Sequence, residues 1–245
     1  MPISAEFTSV LETQHTINFT ECYPNGFLRY TDLCNILQLA AGEHAEMGGI
    51  SFSDMQEFDQ AWVMSRMRIE IDRLPRWKDK VVVKTWIVNL ENSRSVRALE
   101  LYCNDKKFVG CETFWAVFNT KSRRPEALAL PHEHFEKFND RFSTEERVRR
   151  IELPVDMNSV GTKKVVMSDI DIVNHVNNVK YLEWCLDMEP SEIVLSGKIK
   201  ALDMNFMSEV LIEEDVEINR SESERKITGC ILRNQKPCFA VEIQI

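Results

Sequence analysis

The sequence predicts an α+β fold assembled twice from the same parts, and three observations carry that expectation. One amphipathic helical pattern begins at Tyr30, and a second begins near Val176. Each is followed by four short runs rich in β-branched and aromatic residues, with apolar positions in alternation. A charged, weakly periodic stretch over 130–153 divides the two sets. Strand, helix and antiparallel meander, in that order and then again, read as an internal duplication rather than as βαβ units.

Taken in order, Leu11, Thr13, His15, Ile17 and Phe19 alternate and predict a strand within 7–19. Tyr23-Pro24-Asn25-Gly26 is a turn signal. The helix from Tyr30 gathers Leu33, Ile36, Leu37 and Ala40 on one face, with Thr31 or Asp32 as the expected cap and Gly48-Gly49 as the stop. His44 falls near its C-terminal end, where a favourable charge–dipole contact is expected. Residues 50–60 read as a loop. Strands follow from Val63, at 81–88, at 96–103 and at 107–119, with an Asn104-Asp105 turn between the last two.

The charged stretch reads as a linker, with a short helix expected near Thr144–Arg150. In the second half a strand is expected at 161–167 and a helix that stops at Glu189-Pro190. Strands at 197–206, 210–219, 227–233 and 237–245 complete it. The expected organisation is thus an N-terminal repeat at 1–130, a linker at 131–153 and a C-terminal repeat at 154–245.

Composition narrows the function classes. A chain of 245 residues has room for two modest cores, and its 44% hydrophobic and 28% charged content is that of ordinary soluble proteins. A formal charge of −9 argues against non-specific nucleic-acid binding. No apolar run approaches membrane-spanning length. The start, Met1-Pro2-Ile3-Ser4-Ala5-Glu6-Phe7, lacks the basic and apolar segments of a secretory signal. A cytoplasmic location is therefore expected. Seven cysteines, an odd number without a C-x-x-C pair, read as free buried thiols. His132 and His134 have no third ligand nearby, so no metal site is expected.

The stretch with the most chemistry runs from Asp169 through Asp171, Asn174, His175, Asn177 and Asn178 into the second helix. Helix N-termini favour anions, so an imidazole placed there could act as a base beside an oxyanion site. The same residue types are ordinary N-caps, and His175 could equally bond a backbone carbonyl. The residues alone leave both readings open.

The pattern Asp171-x-x-x-His175-Val176-Asn177-Asn178-x-x-Tyr181-x-x-Trp184 resembles the signature of the acyl-acyl-carrier-protein thioesterases, the FatA/FatB-type enzymes of fatty acid synthesis. The run from Trp62 and Met64 through Arg66, Pro75 and Trp77 to Asp79 is similar to that family's strand-and-turn segment. Phe114-Trp115 through Arg123-Arg124-Pro125 is similar to its Trp-containing strand and basic turn. Three matches in the right order cover nearly the whole chain.

The resemblance implies a tandem (double) hotdog, each repeat a long helix wrapped by a curved antiparallel sheet. It implies an acyl channel lined largely by the first repeat and catalysis by the second. The implied reaction is hydrolysis of acyl-carrier-protein thioesters to free fatty acid by an activated water, without metal or cofactor. Asp171 and His175 match the family's catalytic pair directly. The segment Asp203–Glu209 looks like the one that carries the partner glutamate, which makes Glu209 the expected partner on a following strand. Where the family has Asn two residues before the His, this chain has Val173, and Asn174 is the nearest amide. Some members carry Cys after the Glu; Val210 stands here, which favours water as the nucleophile.

Asn177, Asn178, Trp62, Met64, Arg123 and Arg124 are the expected substrate contacts. The expected partner is an acyl carrier protein, itself acidic, so docking on a chain of net charge −9 needs a local basic patch. A homodimer is compatible with the sequence. A hotdog acyl-CoA thioesterase and a non-catalytic acyl-thioester-binding protein are the alternatives.

Overall fold

The computed structural model describes residues 3–245, so Met1 and Pro2 of the start considered above lie outside the described residues. The chain forms two compact units. The first holds the residues up to Ser65 together with Asp72–Val148, and the second holds Arg66–Ile71 together with Arg149–Ile245.

In the first unit the strands β1 (Val10–Thr16), β3 (Lys80–Glu91), β4 (Arg94–Cys103) and β5 (Lys106–Asn119) lie side by side and antiparallel. A two-residue strand β6 (Arg124–Pro125) returns along β5. The meander is tight because its turns use residues that tolerate positive φ. Asn104 and Asp105, at φ 50 and 58, form the predicted β4–β5 turn.

The core helix α1 (Tyr30–Met47) packs on β1, β3 and β4 and buries Leu33, Cys34, Ile36, Leu37, Ala40 and Ala41. Neither Thr31 nor Asp32 caps it. Arg29 is the N-cap residue without a side-chain cap bond, and Asp32 instead receives the Arg29 Nε–H at 2.6 Å. At the other end Gly49 adopts φ 70, and the Ile50 N–H reaches back to the Ala45 carbonyl at 3.0 Å. This left-handed C-terminal cap is why the helix stops where the glycines predict.

Two expectations for this unit are corrected. The stretch 50–60 contains a short helix α2 (Phe52–Gln56), because Ser51 and Asp54 cap each other: the Asp54 N–H reaches Ser51 Oγ and the Ser51 N–H reaches Asp54 Oδ2. Residues 144–150 form no helix. Arg147 is drawn instead to the buried Glu112 carboxylate and to the Thr144 carbonyl, and the chain bends at 143–146 without forming a helix. The whole stretch 131–148 belongs to the first unit, where Phe138 and Arg141 cover the outer face of Trp86. The Trp86 Nε1–H donates to the Arg141 carbonyl at 2.9 Å.

Strand β2 (Gln60–Ile71) contributes its last residues to the second unit, where Arg66–Glu70 pair with β8 (Ala201–Phe206). The sheet there continues antiparallel through β11 (Lys236–Gln244), β10 (Lys226–Arg233), β9 (Asp215–Ser223) and β7 (Asn158–Lys164). Its core helix α3 (Asn178–Asp187) packs on β10 and β11 through Leu182, Cys185 and Leu186. A one-turn helix α4 (Ser191–Val194) follows Pro190 where no element was expected. The strand expected at 210–219 starts only at Asp215, because residues 211–214 close a turn in which Glu214 accepts the Leu211 N–H at 2.7 Å.

Candidate active site

The segment between β7 and α3 folds back on itself before the helix begins. Asp169 is buried, and one of its carboxylate oxygens accepts the Val166 N–H at 2.9 Å while Lys163 stands 3.6 Å away. Its carbonyl accepts the Asn177 N–H at 2.8 Å. The first carboxylate of the cluster is therefore spent on local structure.

Asp171 opens a turn. Its Oδ1 accepts the Val173 N–H at 3.0 Å, its carbonyl accepts the Asn174 N–H at 3.0 Å, and its own N–H donates to the His175 carbonyl at 3.0 Å. Asn174 can close this turn because asparagine tolerates the left-handed conformation it adopts, φ 63. The position where the resemblance expects Asn, Val173, carries an exposed side chain and contributes its N–H to the turn.

These residues precede the helix by several positions, which corrects the expectation that Asp171, Asn174 and His175 stand at its N-terminal end. Asn177 is the N-cap, its Oδ1 accepting the Val179 N–H at 3.0 Å, and Asn178 is the first helical residue.

His175 meets Glu209. Its Nε2 lies 3.3 Å from Glu209 Oε2, with the two side chains 28% and 35% exposed, so the pair is reachable by water yet partly shielded. Glu209 sits in the loop after β8 rather than on a strand, which corrects the sequence expectation. Its neighbours in sequence are pinned on both sides. The Met207 and Ser208 N–H groups donate to the Cys238 carbonyl at 2.8 and 3.2 Å, and the Val210 carbonyl accepts the Val176 N–H at 2.9 Å. The turn beyond is held by Glu214. Burial pulls its carboxyl upward, but the Leu211 N–H and Arg233 outweigh that and keep it below the usual range.

One residue of this site was visible in the sequence only as part of a core pattern. The Tyr181 hydroxyl accepts the Val210 N–H at 3.1 Å, inside the protein. Burial raises its pKa well above the ordinary phenol, so it stays neutral. The available signal was chemical: a tyrosine on a buried helix face needs a partner for its hydroxyl.

The other expected substrate contacts belong to the first unit. Met64 is buried, and Trp62 packs beside Ile50 and Met55 while its Nε1–H donates to the Ile50 carbonyl at 3.1 Å. Arg123, at φ 56 in the turn between β5 and β6, and Arg124, the first residue of β6, are exposed. Among the described residues no cluster of His, Cys, Asp and Glu is arranged to hold a metal ion. No helix among them is long and apolar enough to cross a membrane.

Comparison with known proteins bears on both units. Residues 8–136 match the model of the acyl-ACP thioesterase N-terminal domain, and residues 154–238 match that of the C-terminal domain. A palmitoyl-acyl carrier protein thioesterase of Gossypium hirsutum is 29% identical, aligned over 72% of this chain and 46% of its own length. A dodecanoyl-[acyl-carrier-protein] hydrolase of Cinnamomum camphora is 26% identical over 83% of this chain and 57% of its own. The chain spans about half the length of the curated relatives it matches.

Two solved structures align over almost their full length. An acyl-ACP thioesterase from Bacteroides thetaiotaomicron has a TM-score of 0.89 at 26% identity, covering 96% of this chain and 97% of that one. A 12:0-ACP thioesterase from Umbellularia californica has a TM-score of 0.83 at 18% identity, covering 97% of each. The fold is the double hotdog expected from the sequence.

Proposed function

Because the chain belongs to the acyl-ACP thioesterase family, we propose that it hydrolyses acyl-acyl-carrier-protein thioesters to free fatty acid and the carrier's thiol. The observation that carries this reading is the His175–Glu209 pair, 3.3 Å apart and half-open to water, in the segment that bears the family signature.

With Nε2 turned to the Glu209 carboxylate, the tautomer protonated there leaves the Nδ1 lone pair free to take a proton from water. The hydroxide equivalent so formed adds to the thioester carbonyl, and Glu209 stabilises the imidazolium. Collapse of the tetrahedral adduct breaks the C–S bond, and the proton held by His175 passes to the leaving thiolate. Water and thioester become carboxylic acid and thiol, and no cofactor enters the balance.

Asp171 orients the water through the carboxylate oxygen that its own turn does not use. Of the first-turn N–H groups of α3, Val179 already donates to the Asn177 side chain, so the Asn178 N–H is the donor left for the oxyanion. Arg123 and Arg124 supply the basic patch on which an acidic carrier docks, and Trp62 and Met64 belong to the acyl channel of the first unit. The seven cysteines, all free, suit the reducing cytoplasm. A homodimer is compatible with this reading.

Turnover of matched acyl-carrier-protein and acyl-CoA panels by the purified protein tests the proposal. The expected result is release of free fatty acid, with higher kcat/KM on the carrier-bound substrates. Higher efficiency on acyl-CoA would replace the substrate assignment, and tight binding without release would make the chain an acyl-thioester-binding protein.

A further inference from the structure

The chemistry proposed above needs Glu209 held against His175, yet Glu209 lies in a loop between strands, where a carboxylate would ordinarily swing freely. The backbone beside it, however, is held through its neighbour. Val210 is buried, and both of its backbone groups bond to the histidine-bearing segment and the helix that follows. Its carbonyl takes the N–H of Val176, the residue next to His175, at 2.9 Å. Its N–H goes to the Tyr181 hydroxyl at 3.1 Å. A backbone N–H bonding to the side chain of the fourth residue of a helix, about one turn in, is neither a sheet contact nor a cap.

Tyr181 is itself immobilised. Its ring stacks on Phe239 with centroids 5.4 Å apart and planes 18° from parallel, and it meets Trp184 edge-on at 5.6 Å. Its neutral hydroxyl therefore presents an acceptor at a fixed point. The Val176 bond alone would leave the peptide between Glu209 and Val210 free to rotate. Both bonds together tie the backbone next to Glu209 to the segment that carries His175 and to the helix that follows it.

We propose that Tyr181 is the positioning residue of the site: its hydroxyl, acting through the Val210 N–H, sets the separation of Glu209 and His175. Tyr181 acts on the glutamate's backbone and leaves the substrate to others. The inference rests on the reading of His175 and Glu209 as catalytic.

Tyr181→Phe removes the acceptor and keeps the ring packing, so the variant is expected to fold. On acyl-carrier-protein substrate its kcat should fall about tenfold to a hundredfold, the scale on which small misplacements of reacting groups act, with KM within about twofold of wild type. A double-mutant cycle with Glu209→Gln separates positioning from general support. If Tyr181 acts through Glu209, the double variant should be no slower than Glu209→Gln alone, within about twofold. Multiplicative losses in the cycle, or a Tyr181→Phe enzyme as fast as wild type, would overturn the proposal while Glu209→Gln and His175→Ala remain impaired. Full turnover by Glu209→Gln and by His175→Ala would instead remove the catalytic reading itself, and the positioning role with it.

Discussion

His44 lies in the last turn of the first unit's core helix and His175 in the segment before the second unit's, and their surroundings are opposite in sign. His44 is fully buried and faces a cation. Its Nδ1 accepts from Arg97 Nη1 at 2.7 Å, and its Nε2–H donates to the Thr8 carbonyl at 2.9 Å. Burial first, and the Arg97 charge second, push its pKa down to about 3, so it is a neutral structural acceptor. The charge–dipole contact expected for it from the sequence cannot form, because an uncharged imidazole carries no charge to place at the helix end. His175 faces a carboxylate, keeps access to water and leaves one ring nitrogen uncommitted to Glu209. The duplication thus supplies two histidines with different prospects: burial beside a cation makes the first a structural group, and partial exposure beside an anion leaves the second open to the base role proposed above.

The sharpest way to break this contrast is to remove each imidazole in turn. His175→Ala is expected to lower kcat by about a hundredfold or more, the scale of a lost general base. His44→Gln keeps an acceptor for Arg97 and should leave kcat within a few fold of wild type. Steady-state kinetics on one carrier-bound substrate decides both, and comparable losses would dissolve the distinction.

Much of this was legible in the sequence because it was written in local chemistry. Periodicity located both core helices and the eight meander strands, and Gly48-Gly49 marked the end of α1 since Gly49 must turn left-handed there. That His175 and Glu209 would meet was legible through the motif and the segment that follows it. What was not legible depended on contacts distant in sequence. Arg147 leaves a helical course for Glu112, thirty-five positions away. The neutral state of His44 rests on its burial and on Arg97 from β4, and the role proposed for Tyr181 depends on the loop that follows β8.

Smaller effects sharpen the comparison. The first unit depends on close approaches that the sequence does not advertise. A Cβ on Gly110 would stand 1.9 Å from the Ser143 carbonyl oxygen, so Gly110→Ala should destabilise by about 1–3 kcal/mol, read as a lowered unfolding midpoint. Because Gly110 and Ser143 both belong to the first unit and make no part of the His175–Glu209 pair, kcat of the folded fraction should be retained.

The depressed pKa of His44 gives a signed expectation. Below the unfolded value near 6.5 the unfolded chain binds a proton that the folded chain refuses until about pH 3. Stability therefore falls as pH drops through that window, with a slope from this group approaching about 1.4 kcal/mol per pH unit. Denaturant unfolding between pH 6.5 and 5 should show this extra slope in wild type and not in His44→Gln.

Charge reversal at Arg123 and Arg124 should raise KM for carrier-bound substrate several-fold with kcat unchanged, and added salt should move the wild type toward the variant. A small acyl thioester should be hydrolysed normally by the same protein. Val173→Asn has the smallest expected effect, activity held or modestly raised, because Val173 serves the turn through its backbone N–H. A large loss in a folded Val173→Asn protein would show that the site is built around the valine.

The central claim, that the second unit's histidine and glutamate turn water on an acyl-carrier-protein thioester, is tested most directly by isotope incorporation. Purified protein is given acyl-acyl-carrier protein in ¹⁸O-labelled water, and the products are weighed by mass spectrometry. The account predicts free fatty acid carrying one ¹⁸O after a single turnover, together with stoichiometric free carrier thiol. Unlabelled acid, or acyl-carrier protein bound and recovered intact, would contradict it.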